Sequence, residues 1–141
     1  MSKKYNKSSN ILDLFSMKNK VVAIFGGSGK LGQEFAKTLS QNGAKVYILD
    51  IKKKNFYFNN ISFLNCDVKK NKDIKNIFNK IIKKEKKIDT VIYNVYSKPK
   101  NYYKDFQNYD LKTWKKVVDS NLTGAFLVSQ SAIQNFIRKK I

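Results

Sequence analysis

The sequence predicts an α/β fold: a doubly wound parallel sheet with helices on both faces. Three observations carry this. Short apolar, β-branched runs alternate with segments of helical periodicity. A glycine-rich stretch, GGSGKLG, joins the first run to the first helix. An aspartate, Asp50, closes the second run.

The elements follow in order. KVVAIF (residues 20–25) has the continuous apolar character of a strand buried on both faces. The helix after GGSGKLG carries Leu31, Phe35 and Leu39 on one face and stops at Gly43. AKVYILD is the second strand, and NISFLNCDV is the third, ending near Asp67. KDIKNIFNKIIKKEKK places Ile74, Ile77, Phe78, Ile81 and Ile82 at helical spacing, with lysines on the far face. IDTVIYN (residues 88–94) is the fourth strand, and a polar, aromatic loop then runs to Tyr109. DLKTWKKVVDS is helical, with Trp114 expected as its anchor in the core. The closing segment from Asn121 repeats apolar residues every three to four positions, including Ala125, Phe126, Val128, Ala132, Ile133 and Phe136. Four parallel strands ordered 3-2-1-4 form a sheet that is incomplete for this class, and the closing helix shows more apolar surface than one sheet face covers. Residues 1–19 read as a basic lead-in and residues 20–141 as the domain.

Composition bounds the function. At 141 residues the chain has the length of about one domain, and 42% hydrophobic residues supply a core. The absence of histidine excludes a histidine base and a histidine-containing metal site. The lone cysteine, Cys66, excludes an internal disulfide and implies a reducing compartment, the cytoplasm by default. It reads as a small residue near a strand end. The apolar patch at residues 11–17 is short and broken by Asp13 and Ser16, so neither a signal peptide nor a membrane span is expected. The net charge is +19. Such a balance fits a nucleic-acid or anionic partner, but of the 29 basic residues only Arg138 is an arginine. Phosphate and base recognition favours arginine for its bidentate fork. The lysines are also spread over many segments, beside abundant Ile and Asn, as in an AT-rich genome. Binding to nucleic acid or to a membrane is therefore not expected.

The glycine stretch sits where a phosphate-binding turn must sit, between strand end and helix start. Gly26 permits the tight turn, the missing side chain at Gly29 lets backbone approach a pyrophosphate, and Gly32 lets the helix pack close to the strand. Asp50 lies about twenty residues further on, at a strand end, where a carboxylate takes the ribose hydroxyls of an adenosine. An aspartate there can equally cap a helix or brace a turn. Loop and acid together give a Rossmann-like dinucleotide site. Lys30 stands at the helix start, where it either touches a phosphate or is simply solvated.

From residue 20 onward the chain resembles the N-terminal part of the short-chain dehydrogenase/reductase family. Gly26, Gly29 and Gly32 resemble its Gly-x-x-Gly-x-x-Gly variant, with Phe25 at the usual threonine and Lys30 at the usual middle glycine. CDV (residues 66–68) is similar to the Asp-Val pair that brackets the adenine. YNVYS stands at the Asn-Asn-Ala-Gly position, where only Asn94 matches. SNLTGAFLVSQSA closely resembles the helix carrying the catalytic asparagine, here Asn121, and the loop after Asn94 looks most like a branch of surface-sugar biosynthesis. The resemblance implies an NAD(P)-dependent oxidoreductase of alcohols or carbonyls, homo-oligomeric when complete. It implies cofactor contacts from Gly26, Ser28, Gly29, Lys30, Leu31, Gly32, Asp50, Asp67, Val68 and Asn94. Asp50 favours NAD over NADP, because its charge repels a 2′-phosphate, while Lys52, Lys53 and Lys54 oppose this.

The family's catalytic Ser and helical Tyr-x-x-x-Lys have no counterpart in these residues. Tyr96 and Lys100 have the right spacing, but Pro99 between them breaks the helix that would put them on one face. The expectation is the cofactor-binding portion of an oxidoreductase, inactive alone. The alternative is a non-catalytic nucleotide-binding or basic anion-binding module.

Overall fold

The computed structural model describes residues 14–54 and 59–137. Residues 1–13 of the lead-in, and residues 138–141 with Arg138, lie outside the described residues. The elements are β1 (Val21–Phe25), α1 (Lys30–Gln41), β2 (Lys45–Asp50), β3 (Ile61–Asn65), α2 (Asn71–Glu85) and β4 (Thr90–Tyr93). After the loop come a short 3-10 turn (Phe106–Asn108), α3 (Leu111–Val118), a π-helical turn (Asp119–Thr123) and α4 (Gly124–Ile137). The four strands are parallel and ordered β3-β2-β1-β4, as expected.

Alternation along the strands builds two cores. Val22, Ile24, Val46 and Ile48 face α1, where Ala36 and Leu39 meet them. Val21, Ala23, Phe25, Tyr47 and Leu49 face the other way, onto Ile74, Ile77, Phe78 and Ile81 of α2 and Val128 and Ala132 of α4. β1 is buried along its whole length, which is why its five residues are all apolar.

Two expectations about apolar faces fail. Of the apolar face read on α1, Leu39 packs on the core, but Leu31 and Phe35 are 65% and 42% exposed. The buried positions are Gly32, Ala36 and Ser40. The cause is the close seat of the helix on the glycine turn: a Cβ on Gly32 would lie 2.6 Å from both Gly26 O and Gly27 Cα. At that separation only small residues fit the contact, and the large ones flank it. Trp114 is not a core anchor either, being 55% exposed. Helix α3 has only eight residues and buries only Thr113, so Trp114, one position on, points off that face.

Candidate functional site

The C-terminal ends of the strands open onto a cleft of about 720 Å³. Gly26, Gly29, Lys30 and Leu31 line it from the glycine turn, Asp50 and Lys52 from the end of β2, and Cys66, Asp67 and Val68 from the end of β3. Asn94 and the loop residues Tyr96, Ser97 and Lys98 close it from β4, with Ser120 of the π turn. The topology thus gathers residues separated by about a hundred positions, at the crevice where parallel sheets bind ligands.

The glycine turn is fixed from three sides. Gly26 has φ +75, and a Cβ there would lie 2.6 Å from Asn94 O, so both its conformation and its neighbour demand glycine. Gly26 N–H donates to Leu49 O at 2.8 Å, and Asn94 Nδ2 donates to Gly26 O at 3.2 Å. Ser28 N–H donates to Asp50 Oδ2 at 3.0 Å. Asp50 therefore braces the turn as well as lining the cleft, so the two readings of this residue are not exclusive. Its Oδ1 is only weakly engaged, 3.4 Å from Lys52 N.

Gly29 precedes helix α1 at the N-cap position, and no side chain caps it. Among the described residues the N–H groups of Lys30, Leu31 and Gly32 have no acceptor, whereas Gln33 N–H already reaches Gly29 O. A Cβ on Gly29 would meet the protein no closer than 3.4 Å, so internal packing does not require glycine there. Ser28 Oγ, in the same turn, is buried and without a hydrogen-bond partner. Unpaired donors, a positive helix end and an open glycine together suit an anionic ligand.

At the next strand end, Asp67 accepts from Lys69 N–H at 3.1 Å. Val68 is buried against Gly124, whose absent Cβ would lie 3.0 Å from Val68 Cγ2. Cys66 is 2% exposed, as a small residue near a strand end should be, and burial, followed by the charges of Asp73, Asp67 and Asp50, pushes its thiol up to about 12.

Asn121 lies within the π turn, and its Oδ1 accepts from Ser97 N–H at 2.8 Å. It ties the loop after β4 to the helix, and the cleft wall next to it is Ser120. Tyr93, which sequence reasoning passed over as a strand residue, donates its hydroxyl to Ser120 O. Burial pushes that phenol up to about 12, so it stays a donor at neutral pH. No periodicity marks Tyr93 or Ser97; both act through a carbonyl or amide of a distant segment. Tyr96 and Lys100 fall in non-helical loop, as Pro99 implies. Among the described residues no cluster suits a metal, and no helix is long and apolar enough to cross a membrane.

A twisted parallel sheet with this turn and crevice defines the dinucleotide-binding class of α/β domains. Residues 20–141 match the family model for short chain dehydrogenases, and the chain belongs to the short-chain dehydrogenase/reductase family of oxidoreductases. It is 32% identical over 142 residues to the sorbose reductase of Candida albicans, spanning 94% of this chain and 50% of that one. It is 32% identical over 127 residues to the mitochondrial borneol dehydrogenase of Lavandula x intermedia, spanning 86% of this chain and 48% of that one. The chain spans about half the length of the curated relatives it matches. Among solved structures, the short chain dehydrogenase of Leptospira borgpetersenii with bound NAD+ superposes with a TM-score of 0.83 at 26% identity. That superposition covers 99% of this chain and 54% of that one. A short chain dehydrogenase from Bacillus anthracis gives 0.80 at 28% identity, covering 89% and 55%.

Proposed function

We propose that residues 20–141 are the cofactor-binding portion of an NAD(P)-dependent oxidoreductase acting on CH–OH groups or their carbonyls, with NAD preferred. The observation that carries this reading is the uncapped start of α1 at Gly29 facing the same cleft as Asp50. The solved relative with bound NAD+ supports it. When bound, the dinucleotide supplies the hydride donor or acceptor.

The rest is the work of this chain's residues. Gly26, Ser28, Gly29, Lys30, Leu31 and Gly32 hold the pyrophosphate through the turn and the unpaired N–H groups of α1. Asp50 takes the adenosine ribose hydroxyls with its less engaged oxygen, and Asp67 and Val68 bracket the adenine. Asn94 keeps the turn in place through Gly26 O. Asn121 holds the helix bend at which the family's proton relay passes. Residues 1–141 contain neither the catalytic Ser nor a helical Tyr-x-x-x-Lys, so on this reading they bind cofactor without turning it over. The lone buried thiol supports a reducing, cytoplasmic setting.

Lys30, Lys52, Lys69 and Lys98 also line the cleft and offset part of the repulsion between Asp50 and a 2′-phosphate. The test is therefore a paired titration of NADH and NADPH by fluorescence, with wild type and Asp50→Ala. NADH should bind more tightly, and the substitution should weaken NADH more than NADPH. Tighter NADPH binding that Asp50→Ala leaves unchanged refutes the NAD preference. Absence of binding by either nucleotide refutes the whole reading. Turnover of NAD(H) with a carbonyl or alcohol by the purified 141-residue chain refutes the claim of inactivity.

A further inference from the structure

A second cleft of about 610 Å³ shares no lining residue with the first. It lies between the outer edge of β3 and helix α2. Ser62, Phe63 and Leu64 form one wall, Tyr47 contributes to the floor, and Lys80, Lys83 and Lys84 form the other wall. Successive strand residues point to opposite faces. Leu64 packs with the core under α2, and Phe63 with the core under α1. A cleft that touches three residues in succession therefore wraps the edge of the strand and meets its backbone.

The ladder shows which backbone groups are there. Val46 N–H donates to Asn60 O at 2.9 Å, and Cys66 N–H donates to Asp50 O at 3.0 Å. Even-numbered residues of this stretch thus face β2, and the N–H and C=O groups of Ile61 and Phe63 face outward. Among the described residues β3 pairs with β2 alone.

The wall opposite is basic, with Lys84 Nζ 5.8 Å from the centre of the Tyr47 ring. Lys80, Lys83 and Lys84 share one face of α2 by their three-to-four spacing, and all are exposed. Among the described residues none of them has a carboxylate within ion-pair distance. The nearby Glu85 is already occupied: it accepts from Lys45 Nζ at 2.8 Å and from the Tyr47 hydroxyl at 2.7 Å.

We propose that this cleft docks an extended acidic segment of a partner protein, which adds to the sheet as a strand beside β3. Its backbone pairs with Ile61 and Phe63. Its carboxylates, at alternate positions, face Lys80, Lys83 and Lys84 over Tyr47. A second copy of this chain is disfavoured as occupant, because it carries +19 itself. A nucleic acid would meet the lysines but leave the strand edge unpaired.

The probe is the peptide fluorescein-Gly-Glu-Val-Glu-Val-Glu-Gly-amide, labelled at its N-terminus and titrated with the full 141-residue chain by polarisation. Binding should weaken as salt rises, and the same peptide with Lys for Glu should not bind. Joint Lys80→Glu, Lys83→Glu and Lys84→Glu should weaken binding roughly tenfold or more, from three lost pairs. Lys112→Glu, Lys115→Glu and Lys116→Glu together make the same charge change on α3 and should cost much less. Alternate N-methylation of the peptide, on the side that pairs, should abolish binding to the wild-type chain. Equal losses in the two triple variants would overturn the proposal, as would full binding by the N-methylated peptide. So would an acidic peptide no better than a single-stranded oligonucleotide at competing for the site. If the triple variant fails to fold, Lys83→Glu and the N-methylated peptide decide the matter.

Discussion

At one edge of the sheet, β3 faces a groove walled by Lys80, Lys83 and Lys84. At the other, β4 faces a groove of about 440 Å³ lined by Val91, Tyr93, Val128, Ala132, Ile133 and Phe136, and among the described residues no lysine lines it. Both strands have a partner on one side only among the described residues. Yet the same backbone problem is answered in opposite ways. A lysine-bordered edge repels another copy of a basic chain, whereas a short, apolar edge beside exposed Phe126, Ile133 and Phe136 invites contact. The difference teaches that net charge does not protect uniformly: the +19 is spread over the molecule, and among the described residues no lysine lines the β4 groove.

Substitutions on the two sides test this contrast, and the largest effect belongs to the β3 side. Phe78 of α2 is 1% exposed and stacks on Phe25 with ring centres 6.0 Å apart. Phe78→Ala should cost about 3–5 kcal/mol in urea unfolding, since it empties the core that holds α2 over β2 and β3. On the β4 side the tightest contact is at Gly124, where a Cβ would lie 2.5 Å from Tyr93 Oη. Gly124→Val should cost about 1–3 kcal/mol by lifting α4 from β4, measured the same way. A loss there as large as that of Phe78→Ala would mean that α4 is packed as firmly as α2.

A smaller effect is expected at Asp89, which precedes β4 and accepts from Val21 N–H at 2.8 Å. Burial raises its pKa, but the Val21 N–H and Lys87 outweigh that and hold it below the ordinary value. The stability it contributes is present above the unfolded carboxylate pKa, about 3.9, and is lost as pH falls through the lower folded value. Asp89→Asn should therefore cost under about 1 kcal/mol at neutral pH, and the two proteins should converge in strong acid. A pH-independent difference would remove the carboxylate from the account.

The smallest effect on stability, within about 0.5 kcal/mol, is expected for Phe136→Ser at an exposed position of α4. Its effect on association should be plain. Purified chain should self-associate more as salt is added, because repulsion is screened within about 8 Å at physiological ionic strength while apolar contact is not. Sedimentation at low and high salt should show this growth in wild type and its reduction in Phe136→Ser. A monomer indifferent to salt would erase the contrast between the edges.

The cleft at the strand ends was largely legible in the sequence because its parts are local. Gly26, Gly29 and Gly32 lie within one turn, and Asp50 ends the next strand, so strand–turn–helix order alone brings them to one end of the sheet. The faces of α1 and α3 were not legible in this way. Periodicity identified Leu31, Phe35 and Trp114 as apolar positions on helices, but it does not say how close a helix sits. The close seat of Gly32 left Leu31 and Phe35 exposed while Leu39 reached the core, and the shortness of α3 left Trp114 outside. Tyr93 and Ser97 were missed for a related reason: each acts through a bond to the π turn, across 27 and 24 residues.

The sequence by itself determined the class of fold, the strand order, the position of the glycine turn between β1 and α1, and the acid that ends β2 beside it. It did so because strand burial, helix periodicity and glycine turns are each written in a few consecutive residues. Only the tertiary structure decided that Asp50 also braces the turn, that Asn121 bonds the loop at Ser97, and that the lysines of α2 stand along the outer edge of β3. These depend on distances between segments remote in the chain. Such distances are set by how closely the helices pack on the sheet, which no single stretch of sequence encodes.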